Sequence, residues 1–545
     1  MNMNLSFYLF QQLEQWGVEH TFGIPGDFAL PLYAQQAAYG MKTIVCVHEP
    51  GCVYAADAYA RLKGLGVVLT TYGVGGLNMV NPMAMAYAEH SPVVVISGAP
   101  AVTGRLANPA FHHLVKDYGS QQRVFAEVTC ATASLTDAMS AASEIDRVLD
   151  ACLRLKRPGY IEIPLDMTDA EIPIPTKPAN CSAGPSTNEA AVHEAAMEIV
   201  SAFESAERPV LYAGVGIRRH GLVEDVVKIV EKWGLTVISS VMGKASFPES
   251  HPHYSGVYMG KMGDEYPREV LENADFVLAA GVIFSDVNTG FWTAEIKRET
   301  LIEMRDLDVT ISHHSFQGVP MSSLVPYLAA LQPQLKNDSR SVIPRKTREN
   351  PEVPDNSQLT TLQLIHALQR LEESRFCFLA DVGDAWFAGL EINADIFMAP
   401  GYYASMGFAV PGAVGAAIAA PKLRPIVLVG DGAFQMTGNE LSTLIANRLN
   451  AIIIVLNNGY YKMLSALDGH REYYNLNNWN YVQYAESLGC SGVRAETGEQ
   501  LAGAIEQALA SSEPFVIEAV LQKEDHAPIM QRIKDFFEKS RGGRQ

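Results

Sequence analysis

Between Arg424 and Asn458 the chain reads RPIVLVGDGAFQMTGNELSTLIANRLNAIIIVLNN. Two short β-branched runs, Pro425–Val429 and Ile452–Leu456, flank a segment long enough for helix. Neither run alternates apolar with polar residues, so both faces of each strand must be covered. The first run exits into Gly430-Asp431-Gly432 and the second into Asn457-Asn458. The same grammar recurs in TIVCVHE, VVLTT and PVVVISGAP earlier in the chain, and in RPVLYAG, LTVISS and ADFVLAAG in its middle. Strands that alternate with helix-period, Ala-rich stretches imply parallel sheets with helices on both sides. The expected fold class is α/β, with doubly wound domains and mainly parallel sheets. Such sheets bind ligands beyond the carboxyl ends of their strands, which puts Asp431 and Asn458 where chemistry belongs.

The chain has 545 residues, and at roughly 150 residues per domain a single core is excluded. Thr168–Ala190 and Pro333–Thr360, rich in Pro, Ser, Thr, Asn and charge, read as linkers. They divide the chain into domains at residues 1–175, 190–335 and 355–530, with a C-terminal helix over 531–545. Hydrophobic residues make up 48% and charged residues 19%, a globular balance. The net charge of −19 has no basic block to oppose it and excludes nucleic acid as a partner. Seven scattered cysteines without a C-x-x-C spacing argue against a disulfide scaffold or a structural zinc site. With no export signal at the N-terminus, a reducing cytoplasm is the expected setting. Tyr402–Pro421 is uncharged and long enough to span a bilayer, but its Gly, Ala and Pro411 suit a tightly packed core helix instead, so no membrane partner is expected.

A carboxylate from Asp431 and an amide oxygen from Asn458, delivered by two strand tips, make a hard-cation site suited to Mg²⁺ with phosphate oxygens in its remaining positions. Gly430 and Gly432 allow backbone amides to approach those phosphates closely. Each turn alone is a common one. Together, after two buried strands and at this spacing, they resemble the cofactor motif of the thiamin-diphosphate-dependent enzymes. The resemblance extends to Phe22-Gly23-Ile24-Pro25-Gly26-Asp27, to His48-Glu49-Pro50 and to Thr70-Thr71-Tyr72-Gly73-Val74-Gly75 in the first domain. It implies an aminopyrimidine-binding first domain, a central domain and a diphosphate-binding third domain, with thiamin diphosphate and Mg²⁺ as cofactors.

The resemblance also implies residue roles. Glu49 would hydrogen-bond the aminopyrimidine and promote formation of the ylid that attacks a 2-keto carbon. Asp431, Asn458 and the Tyr460 carbonyl would hold Mg²⁺, and Gly383, Asp384, Gly430, Gly432 and Ala433 would meet the diphosphate. Met406 would wedge between the cofactor rings, with the Ala404 carbonyl on the 4′-amino group, and the Gly/Ala helix would pack close to the cofactor. Asp27 with the pair His112-His113 is similar to the 2-keto acid decarboxylase branch, where proton donors are needed to protonate the enamine and release an aldehyde. A second pair, His313-His314, lies outside that context and is read as strand or turn.

One departure narrows the substrate. The family's N-N-x-G-Y-x-x-E pattern has a glutamate where Leu464 stands here. The substitution resembles the phenylpyruvate and indolepyruvate decarboxylase type, and Asp286, after the apolar run at Gly281–Phe284, is the candidate replacement acid. Met406, Met463, Leu464 and Leu467, with Phe536 or Phe537, would form an adaptable apolar pocket favouring aryl-pyruvates. The rivals are a carboligase of the acetolactate synthase kind, a decarboxylase of pyruvate or branched 2-keto acids, and a dinucleotide oxidoreductase. The last fails because Gly214-Val215-Gly216 meets Arg219, and Gly73-Val74-Gly75 meets Asn78, where a third glycine is required. The resemblance places each cofactor between two chains, implying an obligate homodimer and, as a dimer of dimers, a homotetramer.

Overall fold

The computed structural model describes residues 2–175, 187–334, 342–343 and 356–542. Residues 176–186 of the first linker reading and most of the second therefore lie outside the described residues. The first linker does begin later than its composition suggests. Glu171–Pro173 forms a strand that pairs antiparallel with Asn2–Asn4, so residues up to 175 belong to the first domain.

Three sheets carry the fold. In the first domain six parallel strands lie in the order Lys42–Val45, His20–Gly23, Gly66–Thr70, Val93–Ala99, Gly159–Pro164 and Ala131–Ser134. The third domain repeats the plan with Phe397–Met398, Phe376–Ala380, Arg424–Gly430, Ile452–Asn457, Phe515–Val520 and Ser491–Ala495, again all parallel. The central sheet has seven strands, five of them parallel from Tyr254–Tyr258 to Leu301–Met304, ending in the antiparallel Asp308–Ile311 and His314–Gln317. The turns at residues 305–307 and at Ser312 and His313 are too brief for a crossover helix, which forces both antiparallel returns. His314 is thus an exposed edge-strand residue, beside Glu198 at 3.4 Å.

The Gly/Ala run resolves into turns over 402–408 and a helix over Ala409–Ala419. That helix packs mainly on the first domain's Glu49–Lys63 helix. A Cβ on Gly415 would lie 1.8 Å from the Ala55 carbonyl oxygen, so the small residues serve close helix contact. The contact joins first and third domains in one core, in which Phe22, Tyr54, Ala55, Phe408, Val414 and Val455 share a cluster.

Polar ties fix the central domain to both. Arg218 donates to Ala245 and Asp395 carbonyls, and Arg219 to the Glu89 carbonyl at 3.3 Å. Buried Lys244 bonds Glu249 at 2.5 Å and the Ile392 carbonyl at 2.6 Å. No described helix is long and apolar enough to cross a membrane.

Candidate active site

Glu49 is the first residue of the Glu49–Lys63 helix, just past the carboxyl end of a parallel strand. Its Oε2 accepts from Asn78 Nδ2 at 2.8 Å, and the same amide lies 2.9 Å from His48 Nε2. Asn78, which spoils a dinucleotide fingerprint in the sequence, here orients the carboxylate. The sequence reading missed it, since nothing in the spacing links residues 49 and 78.

At the next strand tip, Asp27 meets both neighbouring histidines. His112 Nε2 shares a short hydrogen bond with Asp27 Oδ2, and His113 Nδ1 stands 4.0 Å from Oδ1. The His112 ring stacks on Phe28 with centroids 4.9 Å apart. Burial acts to raise the Asp27 carboxyl, but bonds from His112, the Phe28 amide and Thr71 prevail and hold it below the ordinary carboxylate range. The structure brings Asp27, His112 and His113 together, as their context in the sequence suggests, and adds Thr71, whose hydroxyl donates to Asp27 at 3.1 Å.

In the third domain, Asp431 opens a helix directly after the Arg424–Gly430 strand. Its Oδ2 accepts from the Asn458 amide at 2.9 Å and the Gly459 amide at 2.6 Å. Burial pushes its carboxyl up to about 6 against those amide bonds. The side-chain oxygen of Asn458 is buried with no hydrogen-bond partner. A buried carboxylate beside an unsatisfied amide oxygen is a donor set that fits Mg²⁺. The Tyr460 carbonyl already accepts from the Lys462 amide at 2.8 Å, leaving one lone pair for an ion.

Two expected diphosphate contacts have partners within the chain. The Gly432 amide donates to Asp431 Oδ1 at 2.8 Å, so it is committed within the motif. Its glycine is nonetheless required, because a Cβ there would lie 2.6 Å from the Tyr461 ring. Asp384 is claimed by Lys462 at 2.7 Å and by the Ala527 amide at 3.0 Å, which makes its carboxylate a brace and no partner for an anion. Gly383, at φ +85°, Gly430, and Ala433 in the first turn of the Asp431–Thr437 helix remain placed at the strand tips.

The turn expected to shape the cofactor is held from below by a residue the sequence reading missed. Fully buried Asp381 accepts from the Gly407 amide at 3.0 Å and the Ala409 amide at 2.9 Å. Ser405 meets the Tyr54 hydroxyl at 2.5 Å, and Ala404 adopts φ 59°, a costly left-handed conformation outside glycine. Met406 is thereby fixed between clamped neighbours, packed against the core shared by first and third domains.

Met463 and Leu467 pack on one apolar cluster with Phe536 and Phe537, and Phe291, absent from the sequence reading, joins Phe537 at 5.2 Å. Leu464 is 45% exposed on the same short helix. Asp286 is exposed on the loop that carries Phe291, whose amide donates to the Asp286 carbonyl at 2.6 Å. Met406 packs in the other cluster, so the structure assembles the expected apolar wall without it.

Family models for the N-terminal thiamine pyrophosphate binding domain, the thiamine pyrophosphate enzyme central domain and the C-terminal binding domain match residues 3–124, 196–322 and 384–519. An indole-3-pyruvate decarboxylase of Azospirillum brasilense is 35% identical over 528 residues, 96% of either chain. The chain belongs to the thiamin-diphosphate-dependent 2-keto acid decarboxylases. Other members of this decarboxylase family are similar along nearly their whole length. A probable pyruvate decarboxylase of Schizosaccharomyces pombe is 32% identical over 96% of this chain and 94% of its own, and a pyruvate decarboxylase isozyme of Saccharomyces cerevisiae is 31% identical over 91% of each. The three matched segments fall on the three sheets described above. Membership fixes thiamin diphosphate as the cofactor of this decarboxylase.

Proposed function

We propose that this decarboxylase acts on aryl-substituted 2-keto acids, phenylpyruvate or indole-3-pyruvate, releasing the aldehyde and CO₂. The observation that carries the reading is the apolar wall of Met463, Leu467, Phe291, Phe536 and Phe537 beside Leu464, at the position where the family pattern has an acid. An aromatic side chain buries more area against such a wall than a methyl group does. The Azospirillum relative is named for indole-3-pyruvate, which agrees.

Thiamin diphosphate, when bound, supplies the carbon nucleophile and the electron sink. The chain supplies the rest. Asp431, Asn458 and the Tyr460 carbonyl would hold Mg²⁺ and through it the diphosphate. Glu49, steadied by Asn78, would present its carboxylate to the aminopyrimidine ring as the group that holds the proton. The Asp27, His112 and His113 trio delivers protons to the substrate carbon and oxygen, and Asp286 stands in for the acid that Leu464 replaces.

Glu49 and Asp431 act from different subunits in this reading, so the unit is a homodimer, and two dimers form a tetramer. Val45, Val47 and Val74 around the Glu49 turn are exposed apolar residues, which suits cover by a partner chain. Six unpaired cysteines among the described residues suit the cytoplasm. Steady-state decarboxylation of phenylpyruvate, indole-3-pyruvate, a branched 2-keto acid and pyruvate tests the preference. We expect kcat/KM to be highest for an aryl acid, and a higher value for pyruvate overturns the reading.

A further inference from the structure

The proton-donating trio has a second chemical property. One carboxylate oxygen of Asp27 and one ring nitrogen each from His112 and His113 lie within 4.8 Å of one another. Both rings converge on the same carboxylate, and His113 Nδ1 is buried without a hydrogen-bond partner. Two imidazoles and a carboxylate are the ligands of borderline transition-metal ions, and they discriminate against Mg²⁺, which takes oxygen. Tetrahedral Zn²⁺, with bonds of about 2 Å, needs its ligand atoms roughly 3.3 Å apart. His112 and Asp27 are already closer than that, while the wider pairs must draw in. His113 sits at φ 68° in a stretch without regular helix or strand between Arg105 and Ser120, and its side chain is the one that must swing toward the other two ligands. Within the chain the side chains of His112 and Asp27 are 61% and 47% exposed. Asp27 brings a carboxylate charge to the site, and a dication there reverses its sign.

We propose that Asp27, His112 and His113 form a binding site for a divalent transition-metal ion, with Zn²⁺ as the type ligand, and that an ion there inhibits the enzyme by occupying the nitrogens and the carboxylate needed for proton delivery. The site is distinct from the oxygen-lined Mg²⁺ site at Asp431 and Asn458. Metal binding is read directly, so the inference stands or falls apart from the substrate preference.

The test uses the holoenzyme with saturating thiamin diphosphate and Mg²⁺. Calorimetric titration with Zn²⁺ should show one site per chain, and activity should fall in step with its occupancy. A chelator should restore activity, while further Mg²⁺ should not. His112→Ala and His113→Ala should each weaken Zn²⁺ at least about tenfold, as expected when one of three ligands is lost. His313→Ala, in the pair that does not converge on a carboxylate, should leave Zn²⁺ binding unchanged. Thermal unfolding verifies that each variant is folded, and His112→Gln serves if the alanine variant is not. Co²⁺ gives a second readout, a visible ligand-field band present in the wild type and absent in the His112 variant. Equal Zn²⁺ affinity in all variants, or binding that excess Mg²⁺ abolishes, overturns the proposal.

Discussion

Asp381 holds four backbone positions with one carboxylate. It accepts from the amides of Val382, Gly407 and Ala409, with Phe408 contributing as well. Burial raises its carboxyl to about 6, against a usual value near 4. A folded-state value above the unfolded one means that the protonated form is favoured on folding. The associated stability is full below about pH 4 and is lost as the pH rises to about 6, to the extent of roughly 3 kcal/mol. Asp381→Asn carries no such term. Its melting temperature relative to wild type should therefore improve between pH 4.5 and 7, and a difference that does not move with pH refutes the assignment. Asp286 makes a contrasting case, because among the described residues its side chain accepts from the adjacent Val287 amide alone, and it is exposed. Asp286→Ala should lower kcat about tenfold or more with little change in KM or stability, in keeping with loss of a general acid. An unchanged kcat would make it a turn residue. Asp431, Asn458, Glu49 and the His112-His113 pair were legible in the sequence because each follows a buried strand or stands in a recognisable motif. Asp381, Asn78 and Lys462 were not. Their partners are backbone amides or side chains from distant segments, and such contacts leave no period or spacing to read.

Among the elements, the short helix Lys462–Asp468 is the one to which the proposed substrate preference assigns the choice. Lys462 anchors it, with a side chain 2% exposed that bonds Asp384 and the Asp525 carbonyl at 2.5 Å. The anchor ties this helix to the Asp384–Leu390 helix and to the segment leading into the C-terminal helix that bears Phe536. Removing one member of a buried pair strands the other, at a cost of about 3–5 kcal/mol. Lys462→Met should accordingly lower the melting temperature and raise KM for aryl acids more than for pyruvate, a comparison that steady-state kinetics on both substrates can make. The Ala409–Ala419 helix shows the limit of composition as a guide. Its Gly and Ala content predicted close packing correctly but not the neighbour, because the identity of the opposing surface is set by topology, which a single segment does not encode.

At the scale of the whole molecule, three similar sheets divide the labour unequally. The first and third present the cofactor-facing residues at their strand tips, while the second contributes the loop of Asp286 and Phe291. If each site joins Glu49 of one subunit to Asp431 of another, two inactive variants can complement. Glu49→Gln and Asp431→Ala should each be nearly inactive. Refolded together as random dimers, half the molecules are mixed and hold one intact site of two, giving about one quarter of wild-type activity. Sites built within single chains would give none. The three-domain plan was legible because each sheet repeats one alternation of strand and helix. The antiparallel end of the central sheet was not, since it depends on turns only three and two residues long.

Gly415 sets a constraint that outlasts any one reaction. With the Ala55 carbonyl oxygen where a methyl group would go, the surface between the two cofactor-binding domains offers no stepwise route of substitution. A change on either side must wait for a compensating shift on the other. A side chain at position 415 therefore couples the third domain to the backbone of the first, so that the two helices answer to a mutation together.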